Sequence, residues 1–209
     1  MRGIYIIPVI LLALTSCKPT PEPRLKVLGE TVVHHETVGG QDVYDTVTAV
    51  IPPFRLIDQY GHVVDTGTVS GHIYVVDFFF THCPSICPKM KAELHKVYAK
   101  YSDKGVLILS HSIDPERDTF PALRLYAEKL NIDNTKWLFL TGDKDSIYAM
   151  ADHYLAYAKE DKDSPGGFVH DGNFILIDTR RYIRGYYDGT TDEGTEKLMN
   201  DIELLLHEK

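Results

Sequence analysis

The sequence predicts an α/β domain built on a central mixed β-sheet flanked by helices. Strand-forming runs alternate with amphipathic helical patterns along most of the chain. One run, Tyr74 to Thr81 (YVVDFFFT), is apolar almost throughout, as a strand covered on both faces must be. The last two strand signals, Phe174 to Asp178 and Tyr182 to Tyr187, lie close enough to close as an antiparallel hairpin. Of the 209 residues, 44% are hydrophobic and 25% charged, the balance of an ordinary globular chain.

The elements follow in order. After Ile51-Pro52-Pro53, the segment FRLIDQYGHVVD reads as two short strands around Gln59-Tyr60-Gly61, an N-terminal hairpin. The Tyr74 strand leads into a helix that Pro88 opens, with Met90, Leu94, Val97, Tyr98 and Tyr101 at helical spacing. Val106 to Ile113 is the next strand. Asp118-Thr119 then starts a helix, Asp118 as its cap, with Phe120, Leu123, Ala127 and Leu130 facing inward. Trp137 to Thr141 is a third core strand, followed by a helix near Lys144 to Ala156 and then by the final hairpin. Glu193 to His207 closes the chain as a helix. Right-handed crossovers make the first core strands parallel, and the last hairpin adds antiparallel ones. The order β-hairpin, βαβαβα, β-hairpin, α is that of a thioredoxin-like domain.

The N-terminus has another character. Met1-Arg2, an apolar stretch from Ile4 to Leu14, and Leu14-Thr15-Ser16-Cys17 have the order of a secretory signal peptide. The stretch falls short of the roughly 20 residues a membrane-spanning helix needs. Cys17 stands where a bacterial lipobox places its lipid-modified cysteine. The expected division is a lipoprotein signal peptide over 1–16, a tether over 17–45 and one domain over 46–209. The tether holds prolines, threonines, His34-His35 and Gly39-Gly40 without sustained periodicity. The product would be exported and anchored to the cell envelope by its lipid, on the periplasmic side in a Gram-negative cell. A net charge of −8 argues against nucleic acid as a partner.

Chemistry concentrates in THCPSICPKM. Cys83 and Cys87 sit where the Tyr74 strand meets its helix, the edge at which α/β proteins place their sites. The helix N-terminus should ease ionisation of both thiols. Thiolates attack disulfides and bind soft metals, which narrows the function to redox exchange or metal handling. A structural disulfide across so short a loop would constrain little of the unfolded chain. A peroxiredoxin is disfavoured, since no proline precedes Thr81 in the pattern such enzymes use.

The segment VVDFFFTHCPSICPKM, the run SIDPERDT from Ser112 to Thr119, and a lone His170 before a FILID strand together resemble the Sco/SenC family of copper-binding thioredoxin-like proteins. The resemblance spans roughly residues 50 to 206. It implies a copper ion, Cu(I) or Cu(II), held by Cys83, Cys87 and His170, and a role as metallochaperone for the binuclear copper centre of cytochrome c oxidase. The implied partners are the oxidase's copper-binding subunit or another copper chaperone. A thiol-disulfide reductase that keeps the oxidase copper-site cysteines reduced, with Cys83 and Cys87 redox-active, stays open, because the same dithiol performs both tasks. Many relatives have Asp where this chain has Ser85. His170, between Gly166-Gly167 and Asp171-Gly172, is expected on a mobile loop. His82 is a possible modifier of Cys83, and His95, His111 and His153 read as surface or packing positions.

Overall fold

The computed structural model describes residues 24–132 and 135–208. The proposed signal peptide and the lipidation position Cys17 lie outside the described residues. A hairpin of β1 (Thr31–Val38) and β2 (Gln41–Thr48) comes first, followed by the small hairpin of β3 (Arg55–Ile57) and β4 (Val63–Asp65) and the short α1 (Thr66–Val69). The body then runs β5 (Tyr74–Phe79), α2 (Cys87–Tyr101), β6 (Leu107–Ser112), α3 (Phe120–Lys129), β7 (Trp137–Leu140) and α4 (Lys144–His153). It closes with β8 (Ala158–Glu160), β9 (Phe168–His170), β10 (Asn173–Ile177), β11 (Ile183–Asp188) and α5 (Asp192–His207).

The main sheet has the order β11-β10-β5-β6-β7, with β5, β6 and β7 parallel and the β10–β11 hairpin joined antiparallel to β5. The central strand β5 is buried on both faces, and its alternation separates two cores. Tyr74, Val76 and Phe78 pack with α4 (Ile147, Met150, Ala151) and with Leu56 and Val64 of the small hairpin. Val75 and Phe79 face α2, α3 and α5 through Met90, Leu94, Leu123, Leu198 and Ile202. Gln59 seals the β7 edge as an extra strand would: its side-chain N–H donates to the Trp137 carbonyl at 3.0 Å, and its carbonyl accepts from Phe139 N–H at 2.9 Å. The opposite edge, β11, is bridged by Leu28 to Ile183.

Local signals position the helices. Asp143 and Thr191 cap α4 and α5 through their side chains. Gly105, at φ 79°, ends the 3₁₀ turn after α2 in the left-handed region.

Four expectations are revised. Residues 31–45, read as part of an irregular tether, belong to a regular hairpin over residues 31–48 with eight paired positions. Gly39 and Gly40, both at positive φ, make its two-residue turn. With all of β2 but its last residue exposed, no apolar face announced it. Asp118 does not cap α3; it is buried and accepts from Thr81 N–H at 3.0 Å, Thr81 Oγ1 at 2.5 Å and Ser112 Oγ at 2.5 Å. Phe120, the first residue of α3, points outward at 46% exposure with its ring beside Gly61. His170 ends a strand, where it pairs with Ala158, and is buried.

Candidate metal centre

Strand β5 and the turn after it carry Cys83 to the end of the sheet, where Cys83 N–H bonds the Phe80 carbonyl at 3.2 Å. Asp118 pins this turn from behind through Thr81. His82 points away from the thiols toward Arg117, whose guanidinium lies 2.7 Å from Nε2. Cys87 is the first residue of α2 and is 2% exposed, while Cys83 is half-buried. Pro88 fits the first turn because an amide there has no helical acceptor.

The third side chain comes from the other end of the domain. Strands β8 and β9 form a small antiparallel pair whose last position holds His170 against the cysteines. Phe80 is the platform: Phe168 and His170 ring centroids lie 5.3 and 6.0 Å from its own. Gly166, at φ 86°, lets the loop before β9 lie directly on Phe80, where a Cβ would stand 2.6 Å from the ring.

His170 Nε2 is 3.2 Å from Cys87 Sγ. Its Nδ1 is 2.7 Å from the Asp171 carbonyl oxygen, which can only accept. Nδ1 therefore carries the proton, and the Nε2 lone pair faces the thiols. A backbone carbonyl fixing the far nitrogen is the usual support of a ligating histidine. Sγ of Cys83, Sγ of Cys87 and one His170 ring nitrogen all lie within 4.8 Å of one another. Nitrogen and sulfur ligands bonded at about 2.0–2.3 Å can stand up to about 4.6 Å apart across one ion, so a small closure completes the site. Two thiolates and an imidazole are a soft donor set, suited to copper or zinc. Among the described residues this is the one group of three such side chains so placed.

The thiols are unequal, which revises the expectation that both ionise easily. Cys83 is pushed far below the ordinary thiol value, first by the hydrogen bond from Cys87 and then by the backbone at Ser85 and Cys87, against partial burial. Cys87 is pushed well up, because it keeps the proton it donates to Cys83 and because it is buried. The helix N-terminus does not overcome that burial. Ser85 Oγ lies 3.6 Å from Cys83 Sγ, a polar contact in place of a carboxylate.

One group escaped the sequence reading. Beneath the cysteines, Lys91 of α2 meets Asp77 of β5 at 2.6 Å, both fully buried. Ser110 accepts from Lys91 and from Trp137 Nε1, each at 2.9 Å, and donates to Asp77 at 2.5 Å. A charged residue on a helix reads as solvated until the fold places it, so only the lone Asp inside an apolar strand could have signalled the pair. Of the remaining histidines, His111 is wholly buried, His95 packs edge-on to Trp137, and His153 is exposed.

Known proteins carry the same architecture. A SCO1/SenC family lipoprotein from Bacillus anthracis str. Ames is 26% identical, with 75% of this chain and 94% of that one covered at a TM-score of 0.69. BsSco, described with a disulfide switch and as a member of the Sco family of cytochrome c oxidase assembly proteins, is 26% identical, with 77% and 95% covered at 0.67. Arabidopsis thaliana ScoI with copper bound is 27% identical, with 74% and 99% covered at 0.63. The SCO1/SenC family model matches residues 43–207. With its thioredoxin-like sheet, its cysteine pair and its strand-borne histidine inside that match, the chain belongs to the SCO1/SenC family.

Proposed function

We propose that this protein binds one copper ion as cargo through Cys83, Cys87 and His170 and delivers it during assembly of the binuclear copper centre of a cytochrome c oxidase. The observation that carries the reading is His170: its Nδ1–H is committed to a carbonyl, so its Nε2 lone pair faces the two sulfurs. Thiol exchange needs only the sulfurs, whereas stable Cu(II) binding calls for the imidazole as well. The receiving partner is the oxidase's copper-binding subunit, or another copper chaperone. Cys17 carries the lipid after removal of residues 1–16, residues 17–45 connect it to the domain over 46–209, and the domain works outside the cytoplasm at the cell envelope, on the periplasmic side in a Gram-negative cell. No helix among the described residues is long and apolar enough to cross a membrane.

A second reading, reduction of the oxidase's copper-site cysteines, is favoured by the unequal thiols. There the Cys83 thiolate attacks a partner disulfide and expels one thiolate. Cys87 then gives up its proton, displaces the second thiolate and closes the Cys83–Cys87 bond, so two electrons pass to the partner.

Copper titration of the reduced protein tests the first reading. Cys83→Ser and Cys87→Ser should each abolish tight binding, and His170→Ala should keep part of the Cu(I) affinity but lose stable Cu(II). An unchanged Cu(II) spectrum in His170→Ala removes His170 from the site. In cells lacking the protein, full rescue of oxidase activity by copper-free His170→Ala selects the reductase.

A further inference from the structure

We infer that the receiving thiol arrives on an extended peptide segment that lies along β9 and seats an apolar side chain, two positions from its cysteine, in the cleft beside Cys83. The inference deepens the proposed exchange with a partner and rests on Cys83 as the sulfur that partner meets. The cleft, of about 240 Å³, lies between the cysteine turn and the β8–β9 hairpin. Phe80 and Ile86 wall it on one side and Pro165, Phe168 and Val169 on the other, so its surface is mainly apolar. Cys83 and His170 line it too, which makes the cleft continuous with the exchanging sulfur. Among the described residues no carboxylate, ammonium or guanidinium lines it, and Ser85 and Ser164 supply its hydroxyls. A cavity of roughly 150 Å³ already holds a benzene ring, so this space takes one large apolar side chain.

Strand β9 dictates the form of the segment. Its sheet has two strands, so one edge of β9 has no neighbouring strand among the described residues. Asp171 N–H reaches the Tyr157 carbonyl and Asp161 N–H the Gly167 carbonyl, both at 2.9 Å. In that ladder Val169 turns its backbone groups to β8, while Phe168 and His170 turn theirs to the free edge. Such an edge takes up an extended chain through main-chain hydrogen bonds, with alternate side chains entering pockets. Residues two apart share a face of an extended chain. A cysteine directed at Cys83 therefore brings the residues two positions away, rather than its immediate neighbours, to the cleft.

Two peptides test this on the reduced, metal-free protein: acetyl-Leu-Gly-Cys-Gly-Leu-amide and acetyl-Ser-Gly-Cys-Gly-Ser-amide, each joined through its cysteine to thionitrobenzoate. The Cys83 sulfur bonds the peptide sulfur as the mixed disulfide breaks, and thionitrobenzoate leaves with the electron pair as a coloured thiolate. Each rate is divided by the same peptide's rate with glutathione, which removes its intrinsic reactivity. The leucine peptide should then react about tenfold faster than the serine peptide. Equal corrected rates overturn the inference. Ile86→Ser, which makes one wall polar, should bring the ratio toward one, and an unchanged ratio in the folded variant overturns the inference. Should that variant not fold, Val169→Ala on the opposite wall decides by the same ratio. Loss of copper binding by wild type would instead strike the delivery reading and leave the ratio standing.

Discussion

His111 shows how much a single buried side chain controls. Its ring lies between Phe78, at 5.1 Å, and Tyr154, at 5.6 Å, wholly out of water. Burial, helped by the Lys91 charge, depresses its pKa from 6.5 to about 4, against Asp77 and the Leu109 carbonyl. The unfolded chain therefore binds a proton between those values that the folded chain refuses. Stability that is complete above about pH 6.5 is lost as pH falls toward 4, by about 3 kcal/mol. His111→Phe, which keeps a flat ring and removes the unpaired buried Nε2, should flatten that acid slope in urea melts between pH 7 and 4. Asp118 is a second buried side chain, one whose oxygens must accept. Asp118→Ala orphans Thr81 and Ser112 and should cost about 3 kcal/mol and loosen the cysteine turn, read as a lower urea midpoint and weaker copper retention. At this scale the cysteine pair was legible in the sequence, since two thiols at a strand–helix junction announce soft-ligand chemistry, whereas His170 stood out only through the family resemblance. Lys91, Asp77 and Asp118 were not, because their meaning lies in what the fold sets opposite them.

The β8–β9 hairpin is the element on which the site depends. Its strands have three residues each, too few for a periodic signal, so the segment read as a loop carrying His170. Its order comes from contacts distant in sequence, with Phe80 beneath and Gly166 laid on that ring. Gly166→Ala adds a Cβ toward the ring at a φ of 86° and should lift the hairpin away from the cysteines. Expected are a loss of about 1–3 kcal/mol and a drop in copper affinity like that of His170→Ala, though His170 is still present; titration alongside that variant checks it. The helices and β5, β6 and β7 were legible because each carries a sustained apolar pattern. Phe120 and Asp118 were misread at a helix start, where position relative to the sheet outweighs spacing.

Across the whole molecule, both sheet edges are closed by chain from outside the sheet. Arg184, buried in β11, donates to the Leu25 and Lys26 carbonyls and bridges Asp178 and Glu208 at 2.8 Å each. Leu28 N–H adds a bond to the Ile183 carbonyl at 2.8 Å. Removing residues 1–45 should therefore lower stability by about 2–4 kcal/mol while leaving the spectrum of a copper-loaded centre intact, a pairing that calorimetry and absorption check together. The fold class was legible at this scale, because strand and helix order decides it; the structural part played by residues 25–48 was not, because it is expressed in backbone bonds that any side chain could make. The two sulfurs differ in exposure, with Cys83 half-buried and Cys87 2% exposed. A visitor, whether alkylating reagent, foreign disulfide or receiving thiolate, meets Cys83 first and finds Cys87 behind it. An attack from solvent therefore begins at Cys83, with Cys87 shielded behind it. Brief treatment with iodoacetamide should accordingly mark Cys83 many times faster than Cys87.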